Sequence, residues 1–217
     1  MWTSLPKTKL STYVRGQLVH AFPDGLDPDG RMAVRVVGDA LDAAEHCFTR
    51  IAVKYFSRQG KPAFNHLNSD QYAMFLYWVS RFAFERGDEV FAEKAYCLNK
   101  MMHGVDVLYE IQLPRVFFFS HVVGTVLGRA RYSDYLSVYQ GVTVGGNEGI
   151  YPVLGEYVTL LTGATVIGKS QIGSHTIISA HTMVRDHDVG ENRIVVGGNS
   201  VIVERPNTNV RYRATFK

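Results

Sequence analysis

Aliphatic residues recur at every sixth position through the second half of the chain. The series is Leu154, Leu160, Val166, Ile172, Ile178 and Val184. Small or β-branched residues follow four positions later in each unit, at Val158, Ala164, Ser170, Thr176 and Thr182. A helix repeats every 3.6 residues and a simple strand every two, so neither explains a fixed step of six. The period predicts a parallel β-helix built from hexapeptides, in which each turn stacks on the one before.

The same frame continues backward from Val144, but it is displaced by four residues from the later series. Its earlier members are Val138, Tyr132 and Val126. The intervening segment, 145–152, reads Gly-Gly-Asn-Glu-Gly-Ile-Tyr-Pro, a composition typical of a loop. We therefore expect a loop inserted between two turns of the solenoid.

The residues before the repeats have helical periodicity. One apolar stripe predicts a helix from about 31 to 58, formed by Val37, Leu41, Ala44, Phe48, Ile51 and Tyr55. Asn68 and Gln71 suggest a capping box at the start of a second helix, and Gly104 is a stop signal for a third. The aromatic side chains between Tyr72 and Phe84 have helical spacing, which favours core packing over a ligand site. Residues 1–30 are rich in Pro and Gly and are expected to be irregular.

These patterns predict an α+β protein with an α-helical N-terminal domain followed by a β-helix. The expected boundaries are 1–112 for the helical domain, 113–205 for the β-helix and 206–217 for a polar tail containing Arg211, Arg213 and Lys217. An open solenoid end exposes unpaired backbone. The helical domain is therefore expected to cover the end near His121.

Composition narrows the possible functions. An apolar content of 46% over 217 residues supports a real core, and a net charge of +3 is too small to indicate nucleic acid binding. The N-terminus has no apolar signal-like run, and no apolar segment is long enough to cross a membrane. We therefore expect a cytoplasmic protein. Cys47 and Cys97 are expected to be reduced core residues.

The stretch from His121 to Ile202 resembles the hexapeptide acyltransferases and, among them, the serine acetyltransferases. The resemblance rests on His-Val-Val-Gly-Thr-Val-Leu-Gly (121–128), Gly-Val-Thr-Val-Gly-Gly (141–146) and Gly-Gly-Asn-Ser (197–200). It implies a left-handed triangular β-helix and a homotrimer. It also implies acetyl-CoA as the acyl donor, bound in the groove between neighbouring prisms.

The resemblance identifies His121 with the general base of the family. An alcohol is a poor nucleophile, and an imidazole that titrates near neutral pH can take its proton as the oxygen attacks a thioester. The family has an aspartate shortly upstream, in an Asp-Ile-His-Pro setting. The segment 110–114, Glu-Ile-Gln-Leu-Pro, is similar, so Glu110 is predicted to support the imidazole, with Asp106 as the alternative.

Matching the repeats to those of the family gives four expected cofactor positions. Thr162 and Ala180 fall where the pantetheine arm and the adenine side contact backbone, and Gly146 and Asn147 fall where the thiol end lies. A backbone N–H near Gly146 could also stabilise the developing oxyanion.

No metal site is predicted. His175, His181 and His187 are spaced by six, which suggests a cluster at first sight. Residues six apart fall on successive faces of one turn, so the three imidazoles should point away from one another.

The acceptor prediction comes from departures from the family pattern. Serine acetyltransferases have an aspartate before the catalytic histidine and an Arg-His pair before the proline of the loop, where this chain has Ser120, Ile150 and Tyr151. Losing both charged partners argues against serine as the acceptor. We therefore expect an O-acetyltransferase acting on a sugar hydroxyl of a bacterial capsular or surface polysaccharide or its precursor, a carbohydrate held by Ser120, Tyr139 and Tyr151. The alternatives are a serine O-acetyltransferase, an amino-sugar N-acetyltransferase and an inactive solenoid scaffold.

Overall fold

The N-terminal half of the computed structural model is helical. The structure describes residues 1–198, 201–208 and 215–217. Four α-helices are present among the described residues, α1 (Lys7–Ala21), α2 (Gly30–Phe48), α3 (Ser69–Glu85) and α4 (Glu89–His103), and a short 3-10 helix spans Lys54–Phe56. A small sheet accompanies them, with β1 (Trp2–Thr3) and β2 (Ser57–Arg58) on either side of β3 (Lys61–Phe64).

Two helix predictions are wrong. Helix α1 lies where an irregular segment was expected; it buries Leu10, Val14 and Leu18, a stripe too narrow to stand out beside its polar neighbours. Helix α2 ends at Phe48 rather than near residue 58. Beyond it, Ile51 is paired with Phe216 near the C-terminus, so a tertiary contact takes the place of a further helical turn.

The other helix signals are confirmed. The Asn68 side chain accepts the Gln71 N–H at 3.0 Å, although the Gln71 amide bonds to Asn65 and not back to Asn68, so the capping box is half formed. Gly104 ends α4 with a left-handed φ of 62°. The aromatic face of α3 is core, since Tyr72 and Phe75 are fully buried.

The C-terminal half is a parallel β-helix with three faces. Strands β4 to β15 form three sheets, one on each face of the prism. Strands that follow one another along the chain lie on different faces. One face contains β5 (Phe117–Ser120), β8 (Leu136–Tyr139), β11 (Thr159–Leu160) and β14 (Ile177–Ile178). The next contains β4 (Val105–Asp106), β6 (Thr125–Leu127), β9 (Thr143–Gly145), β12 (Thr165–Ile167) and β15 (Met183–Arg185). The third contains β7 (Arg131–Tyr132), β10 (Val153–Leu154) and β13 (Gln171–Ile172).

The register of the strands matches the hexapeptide period. Val166 pairs with Val184, eighteen positions later, but Val144 pairs with Val166, twenty-two positions later. The difference of four is the predicted insertion. All six members of the aliphatic series from Leu154 to Val184 are buried, because every sixth side chain points into the prism.

The helical half and the solenoid share a continuous core. Trp78 of α3 packs on Phe117 of β5 with ring centroids 5.1 Å apart, and the Tyr77 hydroxyl donates to the Ile111 carbonyl at 3.0 Å. Strand β4 already belongs to a solenoid sheet, before residue 113. The boundaries at 112/113 and 205/206 stay predictions.

The chain ends beside the helices. An antiparallel hairpin, β16 (Arg193–Gly198) with β17 (Val201–Pro206), follows the last turn. The Lys217 N–H then donates to the Arg50 carbonyl at 2.8 Å. Arg211 and Arg213 of the predicted tail lie outside the described residues. None of the helices described is long and apolar enough to cross a membrane. Cys47 and Cys97 are free thiols; Cys47 is buried in the core as predicted, whereas Cys97 is partly exposed.

Buried His103 makes the stability of the protein sensitive to acid. Its ring nitrogen Nδ1 lies 2.8 Å from the Asn99 Oδ1, and burial lowers the pKa of His103 to about 4 from an ordinary 6.5. Between these values the unfolded chain binds a proton that the folded chain does not. The free energy of unfolding should therefore be highest above pH 6.5 and fall by about 3 kcal/mol towards pH 4 from this group alone.

Urea unfolding of the wild type and of His103→Gln, measured from pH 7 to 4, tests this prediction. The variant has no imidazole at this position and should lose less stability over that range. Equal losses in the two proteins would contradict the assignment.

Candidate functional site

His121 lies on an enlarged corner of the prism. Ser120 is in register with Tyr139, and Val126 is in register with Thr143. Five residues therefore lie between the paired positions Ser120 and Val126 at the His121 corner, whereas three lie between Tyr139 and Thr143 in the turn above. The two additional residues turn the chain outward, with His121 in a left-handed conformation at φ 53° and its side chain exposed. We call this corner, residues 121–124 with the residues stacked on it, the catalytic corner.

Several of the predicted site residues are stacked along this corner. Ser120 is buried directly beside Tyr139, whose carbonyl accepts the Thr125 hydroxyl at 2.9 Å. Backbone hydrogen bonds continue the stack upward, from Gly163 N–H to the Gln140 carbonyl and from His181 N–H to the Thr162 carbonyl. Thr162 and its neighbour in the next turn, Ala180, thus share one corner with the candidate base.

The inserted loop lies at the next corner of the prism. Asn147 and Ile150 exchange two backbone hydrogen bonds of 2.9 Å, which close a tight turn over Glu148 and Gly149. Gly146 lies against the Tyr151 ring, where an added Cβ would come within 2.6 Å of it. Within one chain, strands β6, β9 and β12 separate Gly146, Asn147 and Tyr151 from the catalytic corner.

The predicted supporting carboxylates have other partners. Glu110 accepts a hydrogen bond from Arg129 at 3.1 Å, beside the inserted loop and not at the catalytic corner. Asp106 binds the Lys100 ammonium at 2.6 Å and the Tyr96 hydroxyl at 2.7 Å. Burial by itself raises the pKa of Asp106, but these two donors outweigh it and leave the pKa below its usual value. Neither carboxylate has a hydrogen bond to His121 in the part of the chain described.

A different carboxylate, that of Asp70, contacts the catalytic corner. Its Oδ1 accepts the backbone N–H of His121 at 2.8 Å, and the Tyr55 hydroxyl lies 3.4 Å from its Oδ2. Burial, followed by the charge of Asp70, raises the pKa of Tyr55 to about 12, so the phenol remains a proton donor. Sequence reasoning missed Asp70 because fifty-one positions separate it from His121 and no local motif links them.

The three histidines spaced by six lie at different places around the prism, as predicted. His175 stacks on Tyr157 with centroids 4.8 Å apart, His181 lies on the catalytic corner, and His187 faces Glu204 at 3.3 Å. Over residues 1–198, 201–208 and 215–217, no group of three or more His, Cys, Asp or Glu side chains is arranged to hold a metal ion. Burial raises the pKa of the Cys47 thiol to about 12, which excludes it as a thiolate nucleophile near neutral pH.

Several known proteins similar to this chain are serine acetyltransferases. No family model matches the sequence. The enzyme of Synechococcus elongatus is 33% identical over 118 residues, which cover 52% of this chain and 48% of the relative. The chain spans about half the length of the curated relatives it matches.

Two solved structures of serine acetyltransferases share the fold. The enzyme of Neisseria gonorrhoeae superimposes with a TM-score of 0.69 at 19% identity, covering 95% of this chain and 82% of the other. A serine acetyltransferase in complex with CoA gives a TM-score of 0.69 at 19% identity, covering 89% and 83%. The predicted helical region followed by a left-handed parallel β-helix is thus confirmed.

The expectation of a sugar acceptor is contradicted by these relatives, which are serine acetyltransferases and not polysaccharide-modifying enzymes. That expectation considered only the residues that occupy the family positions, Ser120, Ile150 and Tyr151. In the folded chain, two charged side chains from other segments lie beside these positions. Asp70 contacts His121, and Arg129 lies beside Tyr151.

The fold of this chain, its hexapeptide repeats and the relatives described above agree with one another. The chain has a hexapeptide-repeat acetyltransferase fold and resembles the serine acetyltransferases.

Proposed function

We propose that this protein is a serine O-acetyltransferase that uses acetyl-CoA as its acyl donor. The observation that carries the proposal is the exposed His121 on an enlarged corner, in a solenoid whose sequence relatives are serine acetyltransferases. A structure of one such enzyme contains CoA and another contains cysteine, an amino acid close to serine in size and charge.

The reaction is a direct transfer. The His121 imidazole removes the proton from the serine hydroxyl while the oxygen attacks the thioester carbonyl. The tetrahedral adduct then collapses, the C–S bond breaks, and the thiolate of CoA takes up the proton from the imidazolium. Of the two cysteines, only Cys97 is partly exposed, and it lies on α4 among the helices, so an acyl-cysteine intermediate has no candidate.

The complete site is proposed to form between two copies in a homotrimer. The inserted loop and the catalytic corner occupy different corners of one prism, so Gly146 and Asn147 of one copy would approach His121 of its neighbour. Acetyl-CoA would lie in that groove against Thr162 and Ala180. Serine replaces the predicted carbohydrate as the acceptor, with Tyr139 and Ser120 lining its side of the groove.

One charge supports recognition of the serine carboxylate. Arg129 lies beside Tyr151 and Glu110 at the inserted loop, and its exposed guanidinium is suited to a carboxylate. The cytoplasmic location inferred from the sequence remains a prediction.

Replacing Arg129 with Ala is expected to raise the KM for serine by roughly tenfold, because a charge-assisted hydrogen bond to the carboxylate is lost. The KM for acetyl-CoA should be unchanged. Arg131→Ala is the matched control, since Arg131 is an exposed arginine two positions away on β7. Steady-state kinetics with each substrate varied in turn measure both constants. A serine KM unaffected in Arg129→Ala would remove Arg129 from the acceptor site.

The function itself is tested by incubating the purified protein with acetyl-CoA and either L-serine or a panel of sugars and amino sugars. Release of the CoA thiol with serine, together with O-acetylserine detected by mass spectrometry, is the expected result. Thiol release with a sugar and none with serine would refute the proposal. No turnover with any acceptor, in a protein that still binds CoA, would favour a scaffold role.

A further inference from the structure

We propose that Asp70 is a positioning residue for the catalytic step. Its carboxylate holds the backbone of His121 from the helical half of the chain and thereby sets the direction of the imidazole. The inference rests on the proposed function, in which His121 is the base.

The backbone N–H of His121 has an unusual acceptor for its place in the solenoid. In the later turns, corner N–H groups donate to carbonyls of the turn before, as Gly141 does to Val123 and Gly163 does to Gln140. The His121 corner belongs to the first complete turn, next to the helices. The equivalent N–H of this corner, that of Gly124, donates to the Gly104 carbonyl at 2.9 Å, whereas the N–H of His121 donates to the Asp70 carboxylate at 2.8 Å.

This hydrogen bond supports a strained corner. A histidine with φ of 53° is in the left-handed region, which residues with a Cβ adopt only when the surrounding structure holds them there. The corner also carries two residues more than the turn above, so fewer ladder hydrogen bonds fix it. A hydrogen bond to an ionised carboxylate is stronger than one to a neutral carbonyl, which suits this task.

Asp70 is itself firmly held. It is 5% exposed and lies in the first turn of α3, where the helix dipole favours a negative charge. Tyr55 approaches its second oxygen. No lysine, arginine or histidine forms a salt bridge with Asp70 among the residues described. The carboxylate thus remains available to the His121 N–H and is not drawn away by a cation.

The test compares Asp70→Ala, Asp70→Asn and Asp88→Ala in the full-length protein. Asp88 is the matched control, since its carboxylate likewise accepts a backbone N–H, that of Phe91 at 3.0 Å, at the start of α4. Asp70→Ala should lower kcat by roughly a hundredfold, the cost of a small misplacement of a catalytic group, with the KM for acetyl-CoA within about twofold of wild type. Asp70→Asn keeps the acceptor oxygen and should recover most of kcat. Asp88→Ala should keep the wild-type kcat.

Hydrogen exchange provides a readout independent of turnover. In peptides that contain residue 121, amide exchange should be faster in Asp70→Ala than in wild type and Asp70→Asn, while peptides from α4 remain unchanged. If the wild type has no serine acetyltransferase activity but this exchange pattern is found, the proposed function fails and the anchoring contact stands. A wild-type kcat in Asp70→Ala, an Asp70→Asn variant as slow as Asp70→Ala, or loosening of peptides throughout the protein would each overturn the positioning role.

Discussion

Replacing His121 with Asn should lower kcat for serine acetylation by roughly 10² to 10⁴-fold, the usual contribution of a general base. Asn keeps a polar side chain and tolerates the left-handed backbone at φ 53°, so the corner should retain its shape. The loss should appear in kcat, because the imidazole transfers the proton during the reaction and is not part of the proposed binding site for CoA. Steady-state kinetics combined with calorimetric titration of CoA separate the two effects.

His175→Asn is the matched control for this prediction. His175 also has a left-handed backbone, with φ of 58°, but it lies at another corner and stacks on Tyr157. Its replacement should leave kcat within a fewfold of wild type. Equal activity of His121→Asn and wild type would show that another group accepts the proton, and the mechanism proposed here would have to be abandoned.

Replacing Leu160 with Ala should reduce the free energy of unfolding by about 2–5 kcal/mol. Leu160 is a member of the hexapeptide series, is completely buried, and pairs with both Val138 below and Ile178 above. Truncation leaves a cavity between stacked turns. Because the core inside the prism is narrow, few neighbouring side chains can move into this cavity.

Leu161→Ala is the control, since this adjacent leucine is only half buried and lies outside the series. It should cost no more than about 1 kcal/mol. Urea unfolding followed by circular dichroism measures both, at one fixed protein concentration because the proposed homotrimer would make stability depend on concentration. Similar losses in the two variants would mean that the period of six does not mark the interior of the prism.

The solenoid could be predicted from sequence because its packing is local and periodic. Each turn contacts the turns before and after it, so the residues that fill the prism recur at a fixed spacing, as from Leu154 to Val184. The inserted loop could be predicted for the same reason, because it displaces the hexapeptide series by four residues. Helix α1 was missed because its buried face has only three aliphatic residues, set among polar neighbours.

The acceptor site could not be predicted in this way. The charged groups beside the proposed site come from parts of the chain far apart in sequence, Asp70 on a helix and Arg129 at a turn of the solenoid. A comparison of individual family positions identified Ser120 and Tyr151. Because both are uncharged, it predicted an uncharged acceptor. The proposed supporting residue Glu110 was a candidate by local similarity, yet its carboxylate is bound to Arg129.

The sequence by itself determined the β-helix, the helical half that precedes it and the place of His121 on the first turn, because hexapeptide spacing and short motifs depend on near neighbours. Only the tertiary structure decided which charges surround that histidine. Helix α3 packs against the end of the solenoid, and this contact alone brings the Asp70 carboxylate within 2.8 Å of the His121 N–H. Contacts between residues so distant in the chain leave no periodic trace in the sequence.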